Sequence, residues 1–190
     1  MTRTPLAVTL AIALLLGACA SPRPTDAPAA AKPAETAEPA TPPVKLPAAS
    51  ARKVVLAMTG SKQVVDAKDW AAFKQEWRDT FTDHAKQAGV SFSFVDGDAK
   101  PQGEDGTLLA VHVADYRMVG IGARVFFGVM TGNAFIDARI RFLDLRGGAE
   151  FGEQRHNTSS SAWGGVFAKV TPQQVDAIAA DVFKDLKAAR

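Results

Sequence analysis

The chain has 190 residues, 47% of them hydrophobic and 22% charged, with a formal net charge of +2 at pH 7. Once a low-complexity N-terminal stretch is set aside, about one domain of chain remains, long enough to bury a sizeable core. Arg3 lies in the N-terminal stretch and the charges between residues 20 and 50 cancel, so the remainder carries only +1. It has no basic run with interleaved aromatics, which argues against nucleic acid as a partner.

The chain opens on Met1, Thr2 and Arg3, runs through an apolar stretch from Leu6 to Leu16, and reaches Gly17-Ala18-Cys19. This is the three-part pattern of an export signal. The apolar run is shorter than the roughly 20 residues that span a bilayer. It gives way to Ser21-Pro22-Arg23-Pro24, which suits a cleavage site better than a stop-transfer segment. Leu16-Gly17-Ala18-Cys19 resembles the lipobox of bacterial lipoproteins, where a signal peptidase cuts before the cysteine and its thiol carries a diacylglycerol. Cys19 is the only cysteine, so an intrachain disulfide is impossible and lipidation is the better account of it. The alternative is an ordinary signal peptide with a chance cysteine. Residues 1–18 are therefore expected to be a signal peptide, with Cys19 as the attachment point to a membrane. Ala20 and Ser21 follow it, with no aspartate directly after the cysteine; by resemblance to sorted lipoproteins this implies the outer membrane, facing the periplasm.

Residues 19–50 contain 8 of the 11 prolines and no aromatics. Proline removes backbone donors and fixes φ, so this stretch is expected to be a disordered, partly polyproline tether. At about 3.1 Å per residue in polyproline form, it has the reach to hold a domain several tens of Å from a bilayer.

The folded domain is expected over residues 51–190. Lys53 to Met58 reads as a strand ended by Thr59-Gly60. Asp66 is positioned to cap a helix that places Trp70, Phe73, Trp77, Phe81 and Ala85 on one face, with Gly89 as its stop. Such an aromatic stripe is core far more often than a ligand platform. Val90, Phe92 and Phe94 alternate with serines, and Asp96-Gly97 turns the chain. A loop from Asp98 to Thr107 leads to a strand over Leu108 to Met118. Ala134 to Leu145 reads as its antiparallel neighbour, with Ile136, Ala138, Ile140 and Phe142 inward and Asp137, Arg139 and Arg141 toward water. Gly147-Gly148 turns into a more polar strand from Glu150 to Thr158, expected at a sheet edge. The last helix starts on Thr171 as N-cap, with Pro172 at the first helical position, Gln174 completing a capping box, and Val170 and Val175 at staple positions. The fold class is α+β: a two-layer sandwich with a mainly antiparallel sheet of about five strands and two helices on one face.

Sites for chemistry are sparse. His84, His112 and His156 lie on separate elements with no metal-ligand spacing, and no cofactor or metal is expected. His156-Asn157-Thr158-Ser159-Ser160-Ser161 places hydroxyls beside an imidazole, but adjacency along the chain supplies neither an orienting group nor an oxyanion site. No nucleophile elbow, phosphate loop or dinucleotide fingerprint is present. Residues Val119 to Gly132 are apolar and carry four glycines and one charge. They read either as a glycine-bent connection over the core or as an exposed apolar tip. In the second case Arg124, Val125, Phe126, Phe127, Val129 and Met130 form the candidate contact surface.

The lipobox and tether, Arg117 to Gly122 with Gly120-Ile121-Gly122-Ala123, the strand from Ala138 to Asp144, and Ser159 to Gly165 with Trp163-Gly164-Gly165 before a final helix resemble an uncharacterised family of proteobacterial lipoproteins. Members often carry a longer glycine run where this chain has Val125-Phe126-Phe127. That resemblance implies kinship without catalytic residues to transfer. The layout is also similar to periplasmic lipoprotein domains that activate cell-wall synthases or build secretion channels. Two functions are consistent with these residues. The first is a non-enzymatic, membrane-anchored binding or scaffold module for an envelope component, with an envelope protein as partner. The second is a periplasmic hydrolase or small-ligand carrier using the His156 to Ser161 region.

Overall fold

A computed structural model of the chain describes residues 43–119, 134–158 and 170–190. Cys19, most of the tether and the candidate contact residues from Arg124 to Met130 lie outside the described residues. In chain order, a 3-10 turn (Ala48–Arg52) leads into β1 (Lys53–Gly60), the short α1 (Lys62–Val65) and the long α2 (Trp70–Ala88). Then come β2 (Ser91–Asp96), β3 (Thr107–Arg117), β4 (Phe135–Asp144), β5 (Glu150–Asn157) and α3 (Thr171–Ala188). The strands form one open sheet in the order β2-β1-β3-β4-β5. This is the expected α+β sandwich, with β5 on an edge.

The sheet is mixed. β1 pairs parallel with both β2 and β3, while β3-β4 and β4-β5 are antiparallel. Parallel neighbours need crossovers. α2 supplies the one between β1 and β2, and the loop from Gly97 to Gly106 supplies the one between β2 and β3. That loop crosses the face away from the helices, where Val55, Ala57, Leu108 and Leu145 are buried and Ala99 packs against them. The amide of Gln102 donates to the Leu145 carbonyl at 2.7 Å. β1 is thus covered on both faces, which is why its sequence is a continuous apolar run. β4 alternates because its outer face is wet, where Arg141 pairs with Glu150 at 2.6 Å and Arg139 with Glu153 at 3.4 Å.

The main core lies between the sheet and α2 and α3. Trp70, Phe73, Trp77, Phe81 and Ala85 are buried at helical spacing, as the stripe predicts. Trp77 and Phe81 stack at 5.4 Å with an interplanar angle of 9°. α2 ends on Gly89 at φ 62, with the Val90 amide reaching back to the Ala85 carbonyl, a left-handed stop that glycine adopts without a Cβ penalty. Arg190 donates to the carbonyls of Ala88 and Gly89 at 2.6 and 3.1 Å, tying the end of α3 to the end of α2. His84 and Asp176 join the two helices at 2.8 Å.

Two helix starts differ from the sequence expectation. Asp66 ends α1 instead of opening the long helix, and α1 is capped by Ser61, whose hydroxyl accepts from the Val64 amide at 3.3 Å. α2 starts at Trp70 without a side-chain cap, because the Asp69 carboxylate accepts the Tyr116 hydroxyl at 2.6 Å. A register shift between Val113 and Asp115 produces that contact. An extra residue in a strand reverses the facing of every later side chain. Tyr116 therefore turns to the helix side, where its ring lies 4.1 Å from that of Phe73.

Packing also reaches into the stretch expected to be tether. Val44 and Ser50 are buried, and Leu46 packs against the core. Gly152 makes room for Val44: a Cβ there would come within 3.2 Å of the valine side chain.

Candidate functional site

The end of the sheet at the start of α3 gathers the roots of residues 120–133 and 159–169, the two internal stretches outside the described residues. Thr171, expected to cap its own helix, instead serves β3: its hydroxyl accepts the Val119 amide at 2.8 Å, and its own amide donates to the Val119 carbonyl at 3.0 Å. Val170 occupies the cap position with no side-chain cap bond. Gln174, the expected capping-box partner, is buried and donates its side-chain amide to the Ala134 carbonyl at 2.9 Å. Val170 is buried with Val119 and Ala134 in a small cluster of its own, while Val175 joins the main core, so the staple residues serve different clusters. Thr158 completes the group, its hydroxyl accepting the Ile136 amide at 2.7 Å. The first turn of α3 thus holds both feet of the 120–133 segment. Sequence reasoning found Thr171 and Gln174 but assigned them a local role. A hydroxyl or amide satisfies a distant backbone group as well as a nearby one, and only the tertiary arrangement selects between them.

His156, the centre of the hydrolase reading, sits inside the sandwich on β5 and is buried. Its Nε2 lies 3.1 Å from the Gln154 Oε1. Gln154 in turn donates to the Asp185 carboxylate of α3 at 2.9 Å, and the same carboxylate oxygen accepts the Val44 amide at 2.9 Å. This chain of polar groups links the entry of the domain, the edge strand and the last helix. Ser159, Ser160 and Ser161 lie outside the described residues, so the hydroxyl half of that reading falls outside them.

Burial pushes the His156 pKa below its ordinary value, and the nearby Asp181 opposes that shift. The unfolded chain therefore takes up the His156 proton more readily than the folded one. The stabilising contribution is full above the unfolded pKa of about 6.5 and is lost as pH falls toward the lower folded value. Urea midpoints should accordingly decline as pH drops below about 6.5, and His156→Gln should remove that part of the slope. An unchanged slope in the variant would assign the titration elsewhere.

His84 pairs with Asp176, and His112 lies on the wet face with its Nδ1 3.2 Å from the Thr59 hydroxyl. Among the described residues, no group of three His, Cys, Asp or Glu side chains could hold a metal ion, and no helix is long and apolar enough to cross a membrane. A shallow groove of about 510 Å³ runs between α2 and α3, lined by Glu76, Thr80, Pro172, Gln173, Asp176 and Ala177. Burial raises the Glu76 pKa, the Asp79 charge adds to the shift, and a hydrogen bond from Thr80 opposes it.

No family model and no curated protein matches the chain. Solved structures similar to it include the PelC dodecamer from Paraburkholderia phytofirmans, at 13% identity and TM-score 0.42 over 80% of this chain and 94% of that one. A protein described as a neuraminyllactose-binding hemagglutinin homolog from Helicobacter pylori gives 12% identity and TM-score 0.41 over 77% and 93%. The hypothetical protein CT253 from Chlamydia trachomatis gives 10% identity and TM-score 0.33 over 72% and 94%. At these scores the likeness carries no argument about family or function.

Proposed function

We propose that this chain is a bacterial lipoprotein, anchored through lipid on Cys19, whose tethered α+β domain binds an envelope protein and catalyses no reaction. It is further proposed to sit on the outer membrane facing the periplasm, and to belong to the proteobacterial lipoprotein family that it resembles. The observation that carries the reading is Leu16-Gly17-Ala18-Cys19 at the end of a short apolar run, followed by a proline-rich spacer. Each buried methylene contributes about 0.8 kcal/mol, so several acyl chains on one residue give stable attachment. The spacer then lets the domain search the space beside its membrane.

The proposed contact surface is the apolar segment containing Arg124, Val125, Phe126, Phe127, Val129 and Met130. Its feet are held by Thr171 and Gln174, so a contact made there would be presented from a fixed base.

Two substitutions test the two halves of the proposal. Cys19→Ser should move the protein from the envelope membrane fraction to the soluble fraction and remove the acyl mass from the exported product. Retention unchanged in that variant would overturn the anchor. Joint replacement of Phe126 and Phe127 by serine should cut partner recovery after in-cell crosslinking by roughly tenfold or more, the loss expected for about 1.4 kcal/mol or more of contact energy, with the melting midpoint unchanged. A large drop in the midpoint instead would assign these rings to the core.

A further inference from the structure

We propose that the free edge of β2 takes up an antiparallel strand from a partner protein, with an acidic side chain placed opposite Phe94 to pair with Arg78. The backbone phase of the edge is fixed by one contact. The Gly97 amide donates to the Met58 carbonyl at 2.9 Å, and the register pairs Met58 with Asp96, Leu56 with Phe94 and Val54 with Phe92. In a parallel ladder of that phase, Ser91, Ser93 and Val95 turn their backbone groups toward β1. The N–H and C=O groups of Phe92, Phe94 and Asp96 then point away from the sheet, where β2 is the last strand among the described residues.

Edges that avoid pairing usually carry lysine, proline or a bulge. Ser91–Asp96 has none of these, and its register with β1 is unbroken. Its one charge, Asp96, is engaged by Lys74. Above the strand the Arg78 guanidinium lies 4.7 Å from the Phe94 ring centre. Arg78 is exposed and has no carboxylate partner among the described residues.

These features choose the occupant. Main-chain bonding supplies affinity in strand addition, and alternate side chains supply specificity. The residues of an added strand opposite Phe92, Phe94 and Asp96 fall on the helix side, beside Arg78. A second copy paired about Phe94 would bring Arg78 against its own symmetry mate, so like charges oppose that arrangement. An acidic strand meets Arg78 favourably. Its carboxylate belongs opposite Phe94 and not opposite Asp96, because like charges facing each other across a ladder destabilise it. On the other side Ser91, Ser93 and Val95 are small and accept β-branched neighbours.

The proposal does not depend on lipidation, and its test is done on the full chain in neutral detergent micelles. The probes are the peptides acetyl-Thr-Val-Glu-Val-Thr-amide and its glutamine analogue, with binding read by backbone amide NMR. The expected result is saturable shifts centred on Phe92, Phe94 and Asp96, with the glutamine peptide bound about fivefold more weakly, the factor for about 1 kcal/mol of ion pairing. Arg78→Ala should remove the difference between the peptides. Phe94→Pro should abolish binding of both, because it deletes an outward N–H while leaving the ladder to β1 intact. Circular dichroism checks that this variant folds, and if it does not, the Arg78→Ala comparison decides alone. The proposal is overturned by absence of binding at millimolar peptide, by equal affinity for the two peptides, or by a concentration-dependent dimer that Phe94→Pro dissociates, which would seat a second copy on the edge.

Discussion

Phe81→Ala is expected to destabilise the domain by about 3–5 kcal/mol, a large part of the roughly 5–15 kcal/mol that holds a protein folded. The side chain is fully buried and sits where three elements meet. Its ring stacks on Trp77 within α2, lies 6.4 Å from Phe92 of β2 and 6.0 Å from Phe183 of α3. Truncation removes transfer energy and leaves a cavity whose walls, two aromatic rings on separate elements and one on the same helix, have little freedom to collapse. Phe92→Ala removes the same atoms from a half-buried site on the edge strand and should lose less than half as much. Urea denaturation of both variants measures the difference. Equal losses would show that the core is not centred on the junction of α2, β2 and α3.

The second large effect is expected at Asp185. Replacement by alanine leaves the Val44 amide and the Gln154 side-chain amide without the carboxylate oxygen that both now use. Orphaning buried donors costs about 1–3 kcal/mol each, so a loss of roughly 2–5 kcal/mol is expected. Asp185→Asn retains one acceptor oxygen and should lose about half as much. The variant also has a local signature. Val44 is the first buried position among the described residues, and Lys45 beside it is exposed. Arg23 and Lys32 are each followed by proline, which blocks trypsin, so cleavage after Lys45 reports on this position alone. Asp185→Ala should make that cut fast under conditions where the rest of the domain stays intact. A global loss without local release would mean that Val44 is held by packing against Gly152 more than by its hydrogen bond.

Much of the fold was legible because periodicity records burial directly. Trp70, Phe73, Trp77, Phe81 and Ala85 can share a face only on a helix, and Ile136, Ala138, Ile140 and Phe142 only on a strand with one dry side. Gly89 and the Asp96-Gly97 pair marked the stops because few other residues take those backbone angles at no cost. The candidate site was far less legible. Polar side chains have several possible partners, and the nearest in sequence is not always the one that folding brings close. Thr171 and Gln174 were each read through their local spacing, and each is engaged by a residue at least 40 positions away.

The sequence by itself determined the five strands, the two long helices, their order and the two-layer class, and set the expectation of a lipid-bearing cysteine followed by a proline-rich tether, because these depend on residue type and local spacing. Tertiary structure alone decided that β1 lies at the parallel centre of a mixed sheet, that the bulge in β3 turns Tyr116 toward Asp69, and that Asp185 joins Val44 to Gln154. Strand order and polar pairing are set by which surfaces meet after the chain crosses over the sheet. Such contacts span as many as 141 positions in this chain, well beyond any periodic signal.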